Sequence, residues 1–252
     1  MILIKNAFIL TQNKQRELIE NGSVVIARNR IKAVGKTRDL VKKYGDKVQK
    51  IINGRDRIVM PGLINAHTHL AMTLLRGYAD DLKLEDWWFK YIYPAESQFT
   101  PQHIYLGSLL GGLEMIKSGT TCFADFYYYQ KEVARAAKEV GLRAVLGQGV
   151  LDISTFEFKT AQQSLRIVKD LVGKYRFDNL ISVSLAPHMF QTTTLKTYQK
   201  CKRLAQRHRL LLHTHTSETK QEVDYCVEKL SLIHISEPTR PLYISYAVFC
   251  LK

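Results

Sequence analysis

The sequence predicts an α/β fold, an unfinished (β/α)8 barrel preceded by a run of short strands. Three observations carry this. From about Arg57 short apolar runs alternate with longer helical patterns, as parallel βα units do. The apolar runs are nearly continuous, which suits strands covered on both faces. Their polar residues fall at the C-terminal ends, where a barrel assembles its site. A doubly wound sheet fits the same strand count, and the placement of the polar residues decides for the barrel.

Taken in order, residues 1–56 read as strands. "ILIKNAFIL", "GSVVIARNRIKAVG" and "VQKIING" are rich in β-branched residues, with turn residues at Asn21-Gly22 and Asn53-Gly54. Residues 57–229 carry the barrel pattern. Its strands are "RIVMPGLINAHTH", "TTCFADF", "LRAVLGQGV", "LISVSLAPH" and "RLLLHTHT". Its helices are "PQHIYLGSLLGGLEMIKSG", "KEVARAAKEVG", "AQQSLRIVKDLVGKY" and "TLKTYQKCKRLAQRH". Gly119 and Gly141 stand where helices stop.

Composition narrows the function classes. The chain has 252 residues, 46% of them hydrophobic, and no apolar run of the ~18 residues a membrane span needs. "MILIKNAFIL" is interrupted by Lys5 and Asn6 and reads as a strand, not a leader. Cys122, Cys201, Cys226 and Cys250 form no CxxC pair, which fits a reducing cytoplasm and argues against a disulfide framework or a thiolate zinc site. The net charge of +14 is spread along the chain without a basic block. It reads as a solvated lysine-rich surface, not a nucleic-acid interface.

Four stretches carry chemistry. His67 and His69 alternate at the end of the first barrel strand, so both imidazoles face one side and can hold one metal. In "LLLHTHTSET", His215 lies nearer the strand mouth and is the expected ligand, with His213 deeper and structural, the reverse assignment being the alternative. Glu218 follows His215 by three residues. A metal lowers the pKa of bound water toward ~7 and a neighbouring carboxylate takes its proton, so this pair suits hydrolysis. His188 ends "SLAPH" in phase with the other histidine-bearing strand ends and is expected to contact substrate. The connection "LAMTLLRGYADDLKLEDWWFKYIYPAE" is long for a βα loop. There Trp87 could wall a pocket and Glu96 bind a hydroxyl, or Trp87-Trp88 could simply pack a loop helix with Glu96 solvated.

Together "PGLINAHTHLAMTLLRGYADDL", "YPAE", "SGTTCFADF", "LAPH" and "HTHTSET" resemble the amidohydrolase superfamily. They are most similar to its deaminases of 5′-methylthioadenosine and S-adenosylhomocysteine, near the triazine chlorohydrolases. The resemblance runs from Met1 to about Lys229. It implies a (β/α)8 barrel beside a small β-sandwich built from both chain ends. It implies one divalent metal, zinc or iron, on His67, His69, His215 and a later aspartate. Glu218 would shuttle protons, and Trp87, Glu96 and His188 would line a pocket for an aminopurine nucleoside. A guanine, cytosine-like or triazine ring is the alternative substrate within the class, and an inactive fragment or basic binding module the alternative outside it. The sequence leaves a homo-oligomer open.

Two departures stand out. Gln148 occupies a position where the resemblance implies an arginine gripping a substrate carboxylate, with Lys159 nearby. A point charge copies a guanidinium fork poorly, so the expected substrate lacks that carboxylate. A sixth-strand histidine and the metal-binding aspartate should also follow Lys229. The segment there, "LSLIHISEPTRPLYISYAVFCLK", has no strand–helix pattern, and His234 is too close to Lys229 to be the missing ligand. Back-translated, Leu230–Arg240 and Ile244–Leu251 resemble the two ends of a tagmentation sequencing adapter in the right order and frame. Residues 230–252 are therefore expected to be foreign to the fold.

Overall fold

Alternating burial along Ile2–Leu10 makes the first strand, β1, the centre of a mixed sheet, with Leu3, Ala7 and Ile9 turned inward. β1 pairs antiparallel with β2 (Leu18–Ala27) and parallel with β4 (Lys50–Asn53) and β5 (Ile58–Val59), while β3 (Arg30–Lys36) pairs antiparallel with β2. This is the computed structural model of the chain, and it describes residues 1–230. Two local expectations change. Asn21-Gly22 is not a turn between strands. It lies inside β2, with Asn21 at φ 46°, where the register against β1 shifts between Ala7 and Ile9. One extra residue on β2 makes this a bulge, which favours a residue tolerant of positive φ. The sequence "TRDLVKKY" forms a helix, α1 (Thr37–Tyr44), with Asp39 in its first turn, Lys42 and Lys43 in its last, and Leu40 buried against Leu3 and Val25. Those charges complement the helix dipole.

The first compact unit is Met1–Gly62 and the second begins at Leu63. Ile58 and Val59 fall in the first because they extend its sheet along Phe8 and Ile9.

The second unit is a partial (β/α)8 barrel. β6 (Leu63–Thr68), β7 (Thr120–Tyr127), β8 (Arg143–Val150), β9 (Ile181–Pro187) and β10 (Leu211–Leu212) pair in parallel, each beside the next in chain order. A doubly wound sheet would reverse its strand order at a switch point, and this one does not. The β6–β7 connection holds a 3-10 turn (Leu70–Leu75), a helical stretch and a long helix. The stretch runs through α2 (Leu84–Asp86), a π-turn (Trp87–Ile92) and α3 (Tyr93–Glu96), and the long helix is α4 (Pro101–Lys117). Later crossovers are α5 (Gln130–Val140), α6 (Ala161–Tyr175) and α7 (Leu195–His208), and α8 (Lys220–Leu230) follows β10. Gly141 takes φ +80° to stop α5, a left-handed cap.

Phe123, Leu146 and Leu185, from three successive strands, are fully buried with Val133, Val168 and Leu171 of the covering helices. In α4, an added Cβ would stand 2.5 Å from the Ala71 carbonyl oxygen at Gly107 and 2.6 Å from Leu70 Cδ1 at Gly111. The missing side chains let the turn after His69 lie directly on α4. Among the described residues no helix is long and apolar enough to cross a membrane. Residues 230–252, expected to be foreign, lie outside the described residues apart from Leu230, and so does His234.

Candidate active site

β6 and β10 are the outer strands of the five-stranded sheet. Laid flat, four strand spacings would separate them by about 19 Å. Yet donor atoms of His67 and His69, at the end of β6, and of His215, just past β10, all lie within 4.8 Å of one another. The sheet curls, and the curl assembles the site.

The donor set fits a divalent metal. His67 Nε2 and His215 Nε2 are 3.3 Å apart. Two imidazole nitrogens bound ~2.0–2.1 Å from one tetrahedral ion would stand about 3.3–3.4 Å apart. His69 Nδ1 contacts the Phe126 carbonyl oxygen, which can only accept, so Nδ1 carries the proton and Nε2 keeps its lone pair. His67 Nδ1 lies 2.7 Å from His213 Nε2, which occupies the side of the His67 ring away from His215. The His215 ring stacks on Phe126 at 4.4 Å and 2°, while its buried Nδ1 has no partner. Burial and then the neighbouring His67 lower His69 to about 3, and burial first among its causes holds His215 well below the usual value. Both are therefore neutral at pH 7, as a metal ligand must be.

His213 stands beside His67, with its Nε2 2.7 Å from His67 Nδ1. His188 stands at the end of β9 with its ring 5.1 Å from His215, and its Nδ1 is 2.7 Å from Thr192 Oγ1. Burial lowers it to about 4, so at neutral pH one nitrogen donates and the other accepts.

In the long loop the residue facing His188 is Trp88, at 5.8 Å; Trp87 touches Trp88 at 6.3 Å. Glu96 is not solvated. It is fully buried, accepts a hydrogen bond at Oε1 from the Tyr127 hydroxyl, and leaves Oε2 without a partner. Burial pushes its carboxyl up to about 7 against the pull of the Tyr127 bond. Tyr127, which the sequence reading passed over, packs beside His69 at 6.0 Å.

Tyr127→Phe should therefore destabilise the fold by ~1–3 kcal/mol by stripping a buried acceptor of its donor. The Tyr127 bond favours the ionised carboxylate, so the loss should grow as pH rises through about 7. Denaturant midpoints at pH 5 and pH 8 measure this; equal shifts at both would show that Tyr127 does not act on the Glu96 charge.

Glu218 lies in the segment between β10 and α8, on the exposed side of the mouth, and its backbone N–H donates to Glu222 Oε2 at 2.9 Å. Partial desolvation, and then the Glu222 charge, raise its carboxyl above the ordinary range. The structure brings the histidines together but records no hydrogen bond from the Glu218 carboxylate to them. Gln148 is fully buried and donates from Nε2 to Glu157 Oε2 at 2.7 Å, and Glu157 also accepts the Tyr129 N–H at 2.9 Å. Lys159 is exposed.

Over 227 residues the chain is 42% identical to a 5-methylthioadenosine/S-adenosylhomocysteine deaminase of Thermodesulfovibrio yellowstonii, covering 90% of this chain and 52% of that protein. It is 43% identical over 191 residues to a 5′-deoxyadenosine deaminase of Methanospirillum hungatei, covering 75% and 42%. An adenosine deaminase of Xanthomonas campestris, solved with bound zinc, superposes with a TM-score of 0.86 at 31% identity, over 91% of this chain and 52% of that one. The chain thus spans about half the length of the curated relatives it matches. The amidohydrolase profile matches residues 58–240, the region that holds the curled sheet and all three converging histidines, and the chain belongs to the amidohydrolase family.

Proposed function

We propose that this chain is the N-terminal part of a metal-dependent hydrolytic deaminase of an aminopurine nucleoside. The observation that carries the reading is the convergence of His67, His69 and His215 at the mouth of a curled parallel sheet. It stands in a chain 42% identical to a methylthioadenosine/S-adenosylhomocysteine deaminase. His67, His69 and His215 would hold the ion, which we take to be zinc. When bound, such an ion acidifies water and polarises it for attack.

The chain's own residues supply the rest. Trp88, with Trp87 behind it, walls the side of the pocket next to His188. Glu96 Oε2, buried and unpartnered, accepts from sugar hydroxyls. His188, oriented by Thr192, donates to or accepts from the substrate. Glu218 takes a proton from the attacking water and delivers it to a ring nitrogen as the oxygen bonds to the amine-bearing carbon. The remaining hydroxyl proton then passes to the amine, the carbon–nitrogen bond breaks, ammonia leaves, and the carbon keeps a carbonyl oxygen.

The Gln148–Glu157 pair supports a substrate without a carboxylate. The Gln148 amide is already engaged, and a half-buried acid stands beside it. In a chain extended to its relatives' length and loaded with zinc, methylthioadenosine or 5′-deoxyadenosine should be deaminated with a kcat/KM ~10-fold or more above S-adenosylhomocysteine, the worth of one charge-assisted hydrogen bond. Loss of the adenine absorbance band measures it, and a metal chelator should abolish it. Faster turnover of S-adenosylhomocysteine would refute the substrate assignment.

A further inference from the structure

Asp125 on β7 is fully buried, and both its oxygens are used. Oδ1 accepts the Leu70 backbone N–H at 2.6 Å, and Oδ2 accepts from Gln130 Nε2 at 2.6 Å. Leu70 is the residue immediately after His69. Thr68, immediately before it, is in register with Asp125 in the β6–β7 ladder. The His69 ring itself is held by the carbonyl of Phe126, the next residue of β7. Three successive residues of β6 and the turn that follows are thus fastened to two successive residues of β7. The loop that begins at Leu70 is long, and without the Asp125 bond nothing polar would fix its first amide.

We propose that Asp125 is a positioning residue for the metal-binding histidines. By fixing the turn after His69, its carboxylate aims His69 at His67 and His215 before any ion arrives. The inference rests on the reading of those three histidines as ligands. Partners one step beyond a metal's ligands hold the ligand geometry, and their loss costs ~10–100-fold in metal affinity.

The hydrogen bonds, not the charge, do the positioning. Asp125→Asn keeps an acceptor for Leu70. Its new amide donor can be met by Gln130 Oε1, now buried without a partner, once the Gln130 amide turns over. Asp125→Ala removes the anchor, and Asp125→Glu keeps the charge but displaces it by one methylene.

The test is zinc affinity by competition with a chromophoric chelator, in the full-length protein, with the thermal midpoint of each metal-free variant read in parallel. Asp125→Asn should stay within ~3-fold of the parent, while Asp125→Glu and Asp125→Ala lose ~10–100-fold, whatever their thermal midpoints. Parental affinity in Asp125→Glu overturns the proposal even if the Ala variant fails to fold. A loss of ~10-fold or more in Asp125→Asn also overturns it, because charge would then be the cause. His69→Ala in the same assay separates two failures. If it leaves zinc affinity unchanged, the metal reading falls and the inference with it. If it abolishes binding while Asp125→Glu and Asp125→Ala do not weaken it, the inference alone falls.

Discussion

Glu218→Gln, in the chain extended to its relatives' length, should lower turnover by ~10²-fold or more, the usual cost of losing a general acid–base, with KM little changed. Glutamine has the same shape and can still accept a hydrogen bond, but it cannot take a proton. The motivation is position and environment. Glu218 follows His215 by three residues at the mouth of the sheet. Its carboxyl is raised by partial desolvation and by Glu222, whose Oε2 accepts the Glu218 N–H. A carboxyl moved toward the working pH both accepts and returns a proton more readily than an ordinary one. The assay is loss of the adenine absorbance band with zinc present. Parental turnover in this variant would remove Glu218 from the mechanism and leave the metal site untouched.

The 252-residue chain itself should show no measurable deamination, weak zinc binding and poor solubility. Among the described residues the group able to hold a metal contains three histidines and no carboxylate, and the resemblance to the family implies a fourth ligand. The described sheet also keeps two outer strands. Ile64 on β6 is 72% exposed and Leu211 on β10 is 67% exposed. Apolar strands with unpaired edges invite association with other chains. Size-exclusion chromatography should show soluble aggregate, and the absorbance assay with added zinc should stay flat. A monomeric, active 252-residue protein would show that the five described strands suffice.

The strand–helix alternation was readable along the chain because it depends on local pattern. Parallel strands under helices are nearly continuous apolar runs, and "TTCFADF" and "LISVSLAPH" show this without any knowledge of their neighbours. The alternation of His67 and His69 likewise needs only the two-residue period of a strand. Local pattern failed where a long-range partner sets the conformation. Asn21-Gly22 reads as a turn in isolation, but pairing with β1 makes it a bulge. The short helix α1 carries one buried side chain, too little for its sequence to announce.

The identity of the pocket residues was only half legible, for the same reason. The resemblance singles out Trp87, and the structure adds its neighbour Trp88, whose ring in the π-turn faces His188. Glu96 looks like a solvated loop acid until the fold lays Tyr127 against it. Asp125 is the one charged residue in a mostly apolar strand, and its partner Leu70 lies 55 positions earlier. Sequence alone determined the strand–helix alternation of the barrel and the candidate ligands, since both follow from spacing within a few residues. Tertiary structure decided that histidines from opposite edges of one sheet meet and which buried groups hold them there. Curvature of the sheet and the pairing of distant polar atoms belong to the packed whole, and no local segment encodes either.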